Sequence, residues 1–270
     1  MAEGADVRPA SRCLGELPFP EVDRRLKDTS ILCLPLGAIE QHGPHLPLNT
    51  DTVLAERLSQ GIIARWGDAF DLWLLPTVAL GLSREHDWAA GTLALSIEVF
   101  VGLLKQMARE LVRALPARNL LIINGHGGNR GVLENLLHEL HFKLALNACV
   151  VHPFDLASSQ TKLPENDVHG GLAETSVMRV LAPHLVHLEH LEERVRSTDD
   201  NAIRAVIFER GVSFPWRSDD PELAQNGIIG NADAPSVELG EAIVGAVLTR
   251  MESVLVRLLD NQKRARSTRC

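Results

Sequence analysis

The fold is decided by a stretch that begins Ile31-Leu32-Cys33-Leu34-Pro35-Leu36 and continues Gly37-Ala38-Ile39-Glu40-Gln41-His42. Its first six residues are all apolar, and such a run indicates a strand that is buried on both faces of a sheet. Three further runs of this kind follow, at residues 72–78, 120–123 and 148–152. Helical patterns separate the runs, so the sequence predicts an α/β fold with a mainly parallel central sheet.

Five helices are predicted between and after these strands, at residues 52–66, 97–115, 131–146, 174–181 and 237–259. The second carries an apolar stripe at steps of three and four residues, which is typical of a helix packed on a sheet. We expect all six residues of this stripe to lie in the core: Val99, Leu103, Leu104, Met107, Leu111 and Leu115. Residues 196–235 are less regular, and we expect them to cover the site or to contact a neighbouring subunit.

Length and charge narrow the class of protein. The 270 residues are interpreted as one domain, with an N-terminal extension at 1–28 and a flexible basic tail at 261–270. A formal net charge of -8 argues against nucleic acid as a partner. No apolar run approaches the ~18 residues that a membrane span needs, and the four cysteines show no CxxC pairing. We therefore expect a cytoplasmic protein that acts on a small molecule or short peptide.

Polar residues follow two of the predicted strands. Glu40, His42 and Asp51 follow the first, and His126 follows the third, in Asn124-Gly125-His126-Gly127-Gly128-Asn129. Ligands of parallel sheets collect beyond the carboxyl ends of the strands. Mixed imidazole and carboxylate ligands suit Zn, Mn or Fe(II), and a carboxylate such as Asp51 can bridge two ions. The residues alone also allow a simpler interpretation, in which each histidine only bonds to a backbone carbonyl in a turn.

Four separated motifs resemble those of the creatininase, or creatinine amidohydrolase, family. They are Glu40-Gln41-His42-Gly43-Pro44-His45-Leu46-Pro47, Asp51-Thr52, Asn124-Gly125-His126-Gly127-Gly128-Asn129 and His169-Gly170-Gly171-Leu172-Ala173-Glu174-Thr175-Ser176. The resemblance implies a three-layer α/β/α fold and a centre of two divalent metal ions, Zn, Mn or Fe(II). It also implies hydrolysis of a C–N bond in an amide, cyclic amide or formamide, with metal-activated water attacking the carbonyl carbon.

The resemblance assigns the metal ligands by motif position. Glu40 and His126 would hold one ion, His42 would hold the other, and Asp51 would bridge the two. Creatininase itself has a further metal-binding glutamate two residues after the histidine that matches His126, where this chain has Gly128.

We expect Glu174 to supply the missing ligand and to take part in catalysis. The alternative is that it is an acidic residue favoured at the amino end of a helix. With glycine at position 128 the chain resembles two other branches of the family. These are a formamide hydrolase of deazaflavin biosynthesis and a peptidase that trims the mycofactocin precursor. Creatinine is therefore not expected as the substrate.

Four further residues receive expected roles. His169 matches a histidine proposed in creatininase to transfer protons, and we expect it to protonate the leaving nitrogen; the alternative is a cap for the following helix. His86 and Trp88 are expected to contact substrate, and His45 to contact substrate or orient a ligand. Ordinary surface or packing roles remain open for these three.

Three other functions are alternatives to a non-peptide amidohydrolase. They are a metal-dependent peptidase of the mycofactocin-precursor type, a catalytically inactive member that binds metal or a small molecule, and a nicotinamide or flavin oxidoreductase. The last is disfavoured because no Gly-x-Gly-x-x-Gly follows a strand. Family resemblance also implies a homo-oligomer, such as a hexamer.

Overall fold

Four parallel strands form the central sheet of the computed structural model, which describes residues 11–163, 166–191, 200–209 and 211–267. They are β1 (Ile31–Leu36), β2 (Leu72–Leu74), β3 (Asn119–Asn124) and β4 (Asn147–Val151), in the order β2-β1-β3-β4. The predicted α/β fold with a parallel sheet is confirmed. β2 is shorter than predicted because Pro76, which has no N–H for the ladder, follows it; the chain rejoins the sheet at Val78, beside Leu36.

Eight α-helices are found among the described residues. They are α1 (Phe19–Arg25), α2 (Thr50–Phe70), α3 (Ile97–Ala114), α4 (Arg130–Leu144), α5 (Pro153–Ser158), α6 (Leu172–Leu181), α7 (Asp200–Val206) and α8 (Val237–Ser267). The sequence pattern missed α1, α5 and α7 because each has only six or seven residues, too few to establish a helical period.

The helices cover both faces of the sheet. Ile31, Cys33 and Leu121 point to one face, where they pack against α2, α6 and α8. Leu32 and Leu120 point to the other face, towards α3 and α4. Because successive side chains of a strand point to opposite faces, two covered faces require strands that are apolar throughout. The three-layer α/β/α architecture is thus the one that the sequence predicts.

The prediction that the whole apolar stripe of α3 is core is wrong at two positions. Phe100 and Leu104 are 0% and 4% exposed, whereas Val99 and Leu103 are 55% and 39% exposed. Neighbouring residues of an α-helix are rotated by about 100°, so a stripe centred on Phe100 and Leu104 leaves Val99 and Leu103 on its solvent side.

The homo-oligomer that the family resemblance implies stays a prediction.

Both predicted terminal segments contact the rest of the fold where the structure describes them. In the expected N-terminal extension, Leu26 is buried and Arg12 pairs with Asp71 at 2.8 Å; residues 1–10 lie outside the described residues. α8 continues into the expected flexible tail, where Gln262 donates a hydrogen bond to the carbonyl of Asp28 at 2.9 Å. Within the parts of the chain that the structure describes, no helix combines the length and apolar character needed to span a membrane.

The two adjacent leucines of α3 should differ sharply in their contribution to stability. We expect Leu104→Ala to lower the free energy of unfolding by about 2–5 kcal/mol, because it leaves a cavity in the core. Leu103→Ala, at the half-exposed position, is the matched control and should cost less than about 1 kcal/mol. Urea denaturation of both variants measures the difference, and equal costs would contradict the packing described here.

Candidate metal centre

Two glycines let the first turn of α2 approach the ends of β1 and β3. A β-carbon at Gly37 would lie 2.6 Å from the backbone nitrogen of Thr52, and one at Gly125 would lie 2.2 Å from the carbonyl oxygen of Asp51. Any larger residue at either position would push the helix away. The close approach places Asp51 beside the polar residues that follow both strands.

The structure brings together the four residues that the motifs predict as metal ligands. Asp51 Oδ1 lies 3.1 Å from His42 Nε2, and Asp51 Oδ2 lies 3.1 Å from His126 Nδ1. Glu40 Oε1 lies 3.1 Å from the same His126 nitrogen. All four side chains are buried. The centre therefore has two carboxylates and two imidazoles in mutual contact beneath the surface.

Three of the four carboxylate oxygens of this cluster lack hydrogen-bond donors among the described residues. Neither oxygen of Glu40 accepts a hydrogen bond from the described residues, and neither does Asp51 Oδ2. A buried carboxylate oxygen without a donor is costly unless a cation satisfies it. Zn, Mn and Fe(II) accept this combination of oxygen and nitrogen ligands, so the residues present fit a metal centre.

Other potential ligands surround this group. Three sets of ligand atoms lie within 4.8 Å of one another: Glu40 with His86 and His169, His42 with His169 and Glu174, and Glu40 with His42 and Asp51. Glu174, in the first turn of α6, accepts a hydrogen bond from the Gly170 N–H at 2.6 Å, and its Oε2 lies 3.9 Å from His42 Nε2. Its position allows it to act as a ligand beside His42.

His86 lies deeper in the centre than the sequence indicates. Its ring stacks on that of His169 with centroids 3.9 Å apart, and its Nε2 lies 3.5 Å from Glu40 Oε1. His169 Nδ1 lies 3.6 Å from the same oxygen. Both rings therefore belong to the cluster itself.

A buried amide and a buried hydroxyl hold these two rings, and the sequence interpretation assigned no role to either. Gln41 Nε2 lies 3.1 Å from His86 Nδ1, 3.1 Å from His169 Nε2 and 3.0 Å from Ser218 Oγ. Gln41 lies between two candidate ligands in Glu-Gln-His, and this position could have indicated that it belongs to the site. Ser218 lies in the irregular segment, where no pattern marks it.

Two residues that are expected to contact substrate, His45 and Trp88, lie outside the cluster. His45 Nε2 lies 2.8 Å from Thr175 Oγ1, next to Glu174, and His45 lines neither of the two cavities described below. It is placed to orient the start of α6. Trp88 also lines neither cavity, and its indole donates a hydrogen bond to Ser218 Oγ at 2.9 Å. The expected substrate contacts of these two residues stay predictions.

Two cavities meet at the centre. One of about 550 Å³ and one of about 560 Å³ share five lining residues: His126, Gly127, Val168, His169 and Glu174. Residues 214–217 line the first, so the irregular segment covers the site as expected. Trp216 lines this cavity, and its ring meets that of His86 edge-on with centroids 5.9 Å apart. Phe154 and Phe208 line the second.

The charges of the centre are set by burial and by close pairing. Burial opposes a charged His42, but Asp51, Glu174 and Glu40 outweigh it and raise the pKa of His42 to about 10. His126 likewise has a raised pKa, because Glu40 and Asp51 overcome its burial. Burial raises the pKa of Glu40 to about 7. The carboxylates thus stabilise positive charge at this point, and bound metal ions would supply it in place of protons.

Burial also keeps the outer histidines neutral. It lowers the pKa of His86 to about 2 and that of His169 well below its ordinary value. A neutral imidazole has one nitrogen free to accept a proton or bind a metal ion.

The pH dependence of stability should have opposite signs with and without metal. In chelator-treated protein, folded His42 keeps a proton that unfolded histidine loses near pH 6.5. Its stabilisation is complete below that pH and is lost as the pH rises towards 10. The melting temperature should therefore fall from pH 6.5 to about 9. It should rise over the same range in metal-loaded protein, because metal competes with protons for the ligands.

Calorimetry of both forms across this range measures the two slopes. His42→Gln is the control, since it should flatten the decline in the chelated protein. Parallel slopes for the two forms would contradict metal binding at His42.

Comparisons with known proteins agree with this geometry. The family model described as Creatininase: Creatinine amidohydrolase matches residues 15–255. The mycofactocin precursor peptide peptidase of Mycobacterium tuberculosis is 36% identical over 183 residues, or 65% of this chain and 68% of that protein. The creatinine amidohydrolase of Pseudomonas putida is 29% identical over 252 residues, or 86% of this chain and 91% of that protein.

Solved structures give the same result. A crystal structure of creatininase superposes with a TM-score of 0.75 at 26% identity, covering 92% of this chain and 98% of that one. Similar structures include a manganese form and a Zn–Zn form of a mutant creatininase. The match of the family model over most of the sequence, together with this shared fold, shows that the chain belongs to the creatininase family.

Proposed function

We propose that this protein is a metal-dependent hydrolase that cleaves an amide bond in a short peptide. The observation that carries the proposal is the buried cluster of Glu40, His42, Asp51 and His126 at the junction of two cavities. Three of its four carboxylate oxygens lack hydrogen-bond donors among the described residues. Such a cluster is suited to holding metal ions where a substrate enters from either side.

Asp51 is proposed to bridge two divalent ions. Its two oxygens face different histidines, with Oδ1 towards His42 and Oδ2 towards His126, at 3.1 Å each. Glu40 and His126 would hold one ion, and His42 and Glu174 the other. The manganese and zinc forms of creatininase support Mn or Zn, and the ligand set also suits Fe(II). When bound, the ions would polarise the scissile carbonyl and lower the pKa of water.

His169 is proposed to carry a proton to the leaving nitrogen: neutral in the resting site, it would take up the proton that the attacking water gives up and pass it on. It lines both cavities, so it lies beside the scissile bond whichever cavity holds the leaving group. Its Nε2 lies 2.6 Å from the carbonyl oxygen of Gln41 and its Nδ1 faces Glu40, which fix the orientation of the ring. Glu174 also lines both cavities and is proposed to assist proton transfer as well as to bind metal.

The two cavities favour a substrate that extends on both sides of the bond. A peptide places groups on each side of its scissile amide, whereas a small cyclic amide needs only one cavity. Aromatic side chains in both cavities suit apolar groups of such a substrate. The peptidase from Mycobacterium tuberculosis supports the same substrate class, and the peptide reading is therefore preferred to cyclic amides and formamides.

Metal-loaded protein should hydrolyse members of a panel of short peptides, and Asp51→Ala should abolish both metal binding and turnover. The loss is expected because removing the bridge leaves each ion one ligand short. Elemental analysis gives the metal per chain, and mass spectrometry of the products gives the activity.

The control is Asp68→Ala, which removes an aspartate whose side chain is 96% exposed and should leave both properties intact. A second panel contains creatinine, other lactams and formamides. Turnover of these compounds without any peptide cleavage would overturn the peptide proposal, and a fully active, metal-free Asp51→Ala would overturn the metal-dependent mechanism.

His169→Ala should keep its metal and lose about 10²–10⁴-fold in kcat, the range typical of losing a general acid. Metal analysis and steady-state kinetics on the same preparation separate the two effects. Loss of an ion in this variant would show instead that His169 is a ligand, as its proximity to His42 and Glu174 allows.

A further inference from the structure

The carboxylate of Glu85 enters the first cavity beside His126, in space that residue 128 leaves open. Glu85 Oε1 lies 3.7 Å from His126 Nε2, and both residues line this cavity. A β-carbon at Gly128 would lie 2.5 Å from Glu85 Oε1 and 2.6 Å from the carbonyl oxygen of Leu82. The position of Glu85 therefore depends on the absence of a side chain at 128.

The backbone of Glu85 is held firmly. It belongs to the short 3₁₀ turn Arg84–His86, and its carbonyl oxygen accepts hydrogen bonds from the N–H of Ser218 at 3.0 Å and from Ser218 Oγ at 3.3 Å. Its side chain is only 17% exposed. The carboxylate is thus directed to the centre by the fold, unlike that of a solvated surface glutamate.

The nearby arginines have other partners. Arg84 pairs with Asp87 at 3.5 Å, and Arg217 pairs with Asp87 at 3.1 Å and with Asp219 at 3.0 Å. Within the described ranges, the ion pair of Glu85 is with His126. A negative charge so close to the cluster is therefore available to a cation bound there.

The geometry points to Glu85 as a carboxylate that supports the metal-binding His126 from outside the cluster, an inference that rests on the metal site of the proposed function. His126 Nδ1 faces Glu40 and Asp51 at 3.1 Å each, so it is the nitrogen that would bind an ion. His126 Nε2 points the other way, to the carbonyl oxygen of Leu82 and to Glu85 Oε1. A carboxylate on the far side of a ligating imidazole raises the basicity of the ring and strengthens its bond to metal.

Charge balance supports the same role. Two divalent ions carry four positive charges, whereas Glu40, Asp51 and Glu174 supply three negative ones. Glu85 supplies the fourth, so that a largely buried centre becomes neutral. Neutrality matters there because an uncompensated charge is costly away from water.

Metal affinity tests this inference without using activity. Wild type, Glu85→Gln and Asp87→Asn are titrated with zinc against a competing chelator, and metal per chain is measured after dialysis. We expect Glu85→Gln to bind at least one ion about 10-fold more weakly, the lower end of the effect of removing a supporting group. Asp87→Asn, which removes a carboxylate from the same loop but outside the cluster, should match wild type.

A second pair of variants tests the role of Gly128. Gly128→Ala should weaken zinc binding, because its β-carbon would lie 2.5 Å from both Glu85 Oε1 and His126 Nε2. Gly127→Ala should not, since a β-carbon there meets no atom within 4 Å. Circular dichroism checks that each variant is folded.

The outcomes separate the two proposals. Wild-type protein that binds no zinc would refute the metal centre of the proposed function. Wild type that holds two ions, together with Glu85→Gln of unchanged affinity, would leave that function intact and overturn the role of Glu85.

Discussion

The centre depends on the burial of Asp51 between two histidines. Its two oxygens face His42 and His126, which come from the ends of different strands, so a single carboxylate links both sides of the site. This contact exists only because Gly37 and Gly125 let α2 begin against the strand ends. The position of this one side chain therefore depends both on the packing of α2 and on the order of the strands.

The order of the strands explains why candidate ligands that are distant in sequence lie close together. β1 and β3 are adjacent and parallel, paired from Ile31 with Asn119 to Leu36 with Asn124. Residues that follow them therefore leave the sheet at the same edge. The sequence predicted this convergence well, because fully apolar strands and the polar residues after them are local patterns. The bounds of β1 were predicted without error for the same reason.

Features that depend on tertiary contacts were harder to predict. Val99 and Leu103 share an apolar period with Leu104, and only the packing of α3 decides which of them faces solvent. Ser218 and Trp216 reach the site from a segment without periodicity, so their sequence neighbours give no indication of it. An aromatic residue near a motif likewise does not reveal which way its ring points.

The site combines residues from regular helices and strands with residues from an irregular segment. The candidate metal ligands stand mostly after strand ends and in first helical turns, while residues 214–217 line a cavity from an irregular segment. Ser218 ties that segment to Gln41, His86 and Trp88 through one hydroxyl. Replacing this segment by that of a related protein would therefore change the shape of the cavity, provided that the new segment keeps the serine whose hydroxyl contacts Gln41, His86 and Trp88.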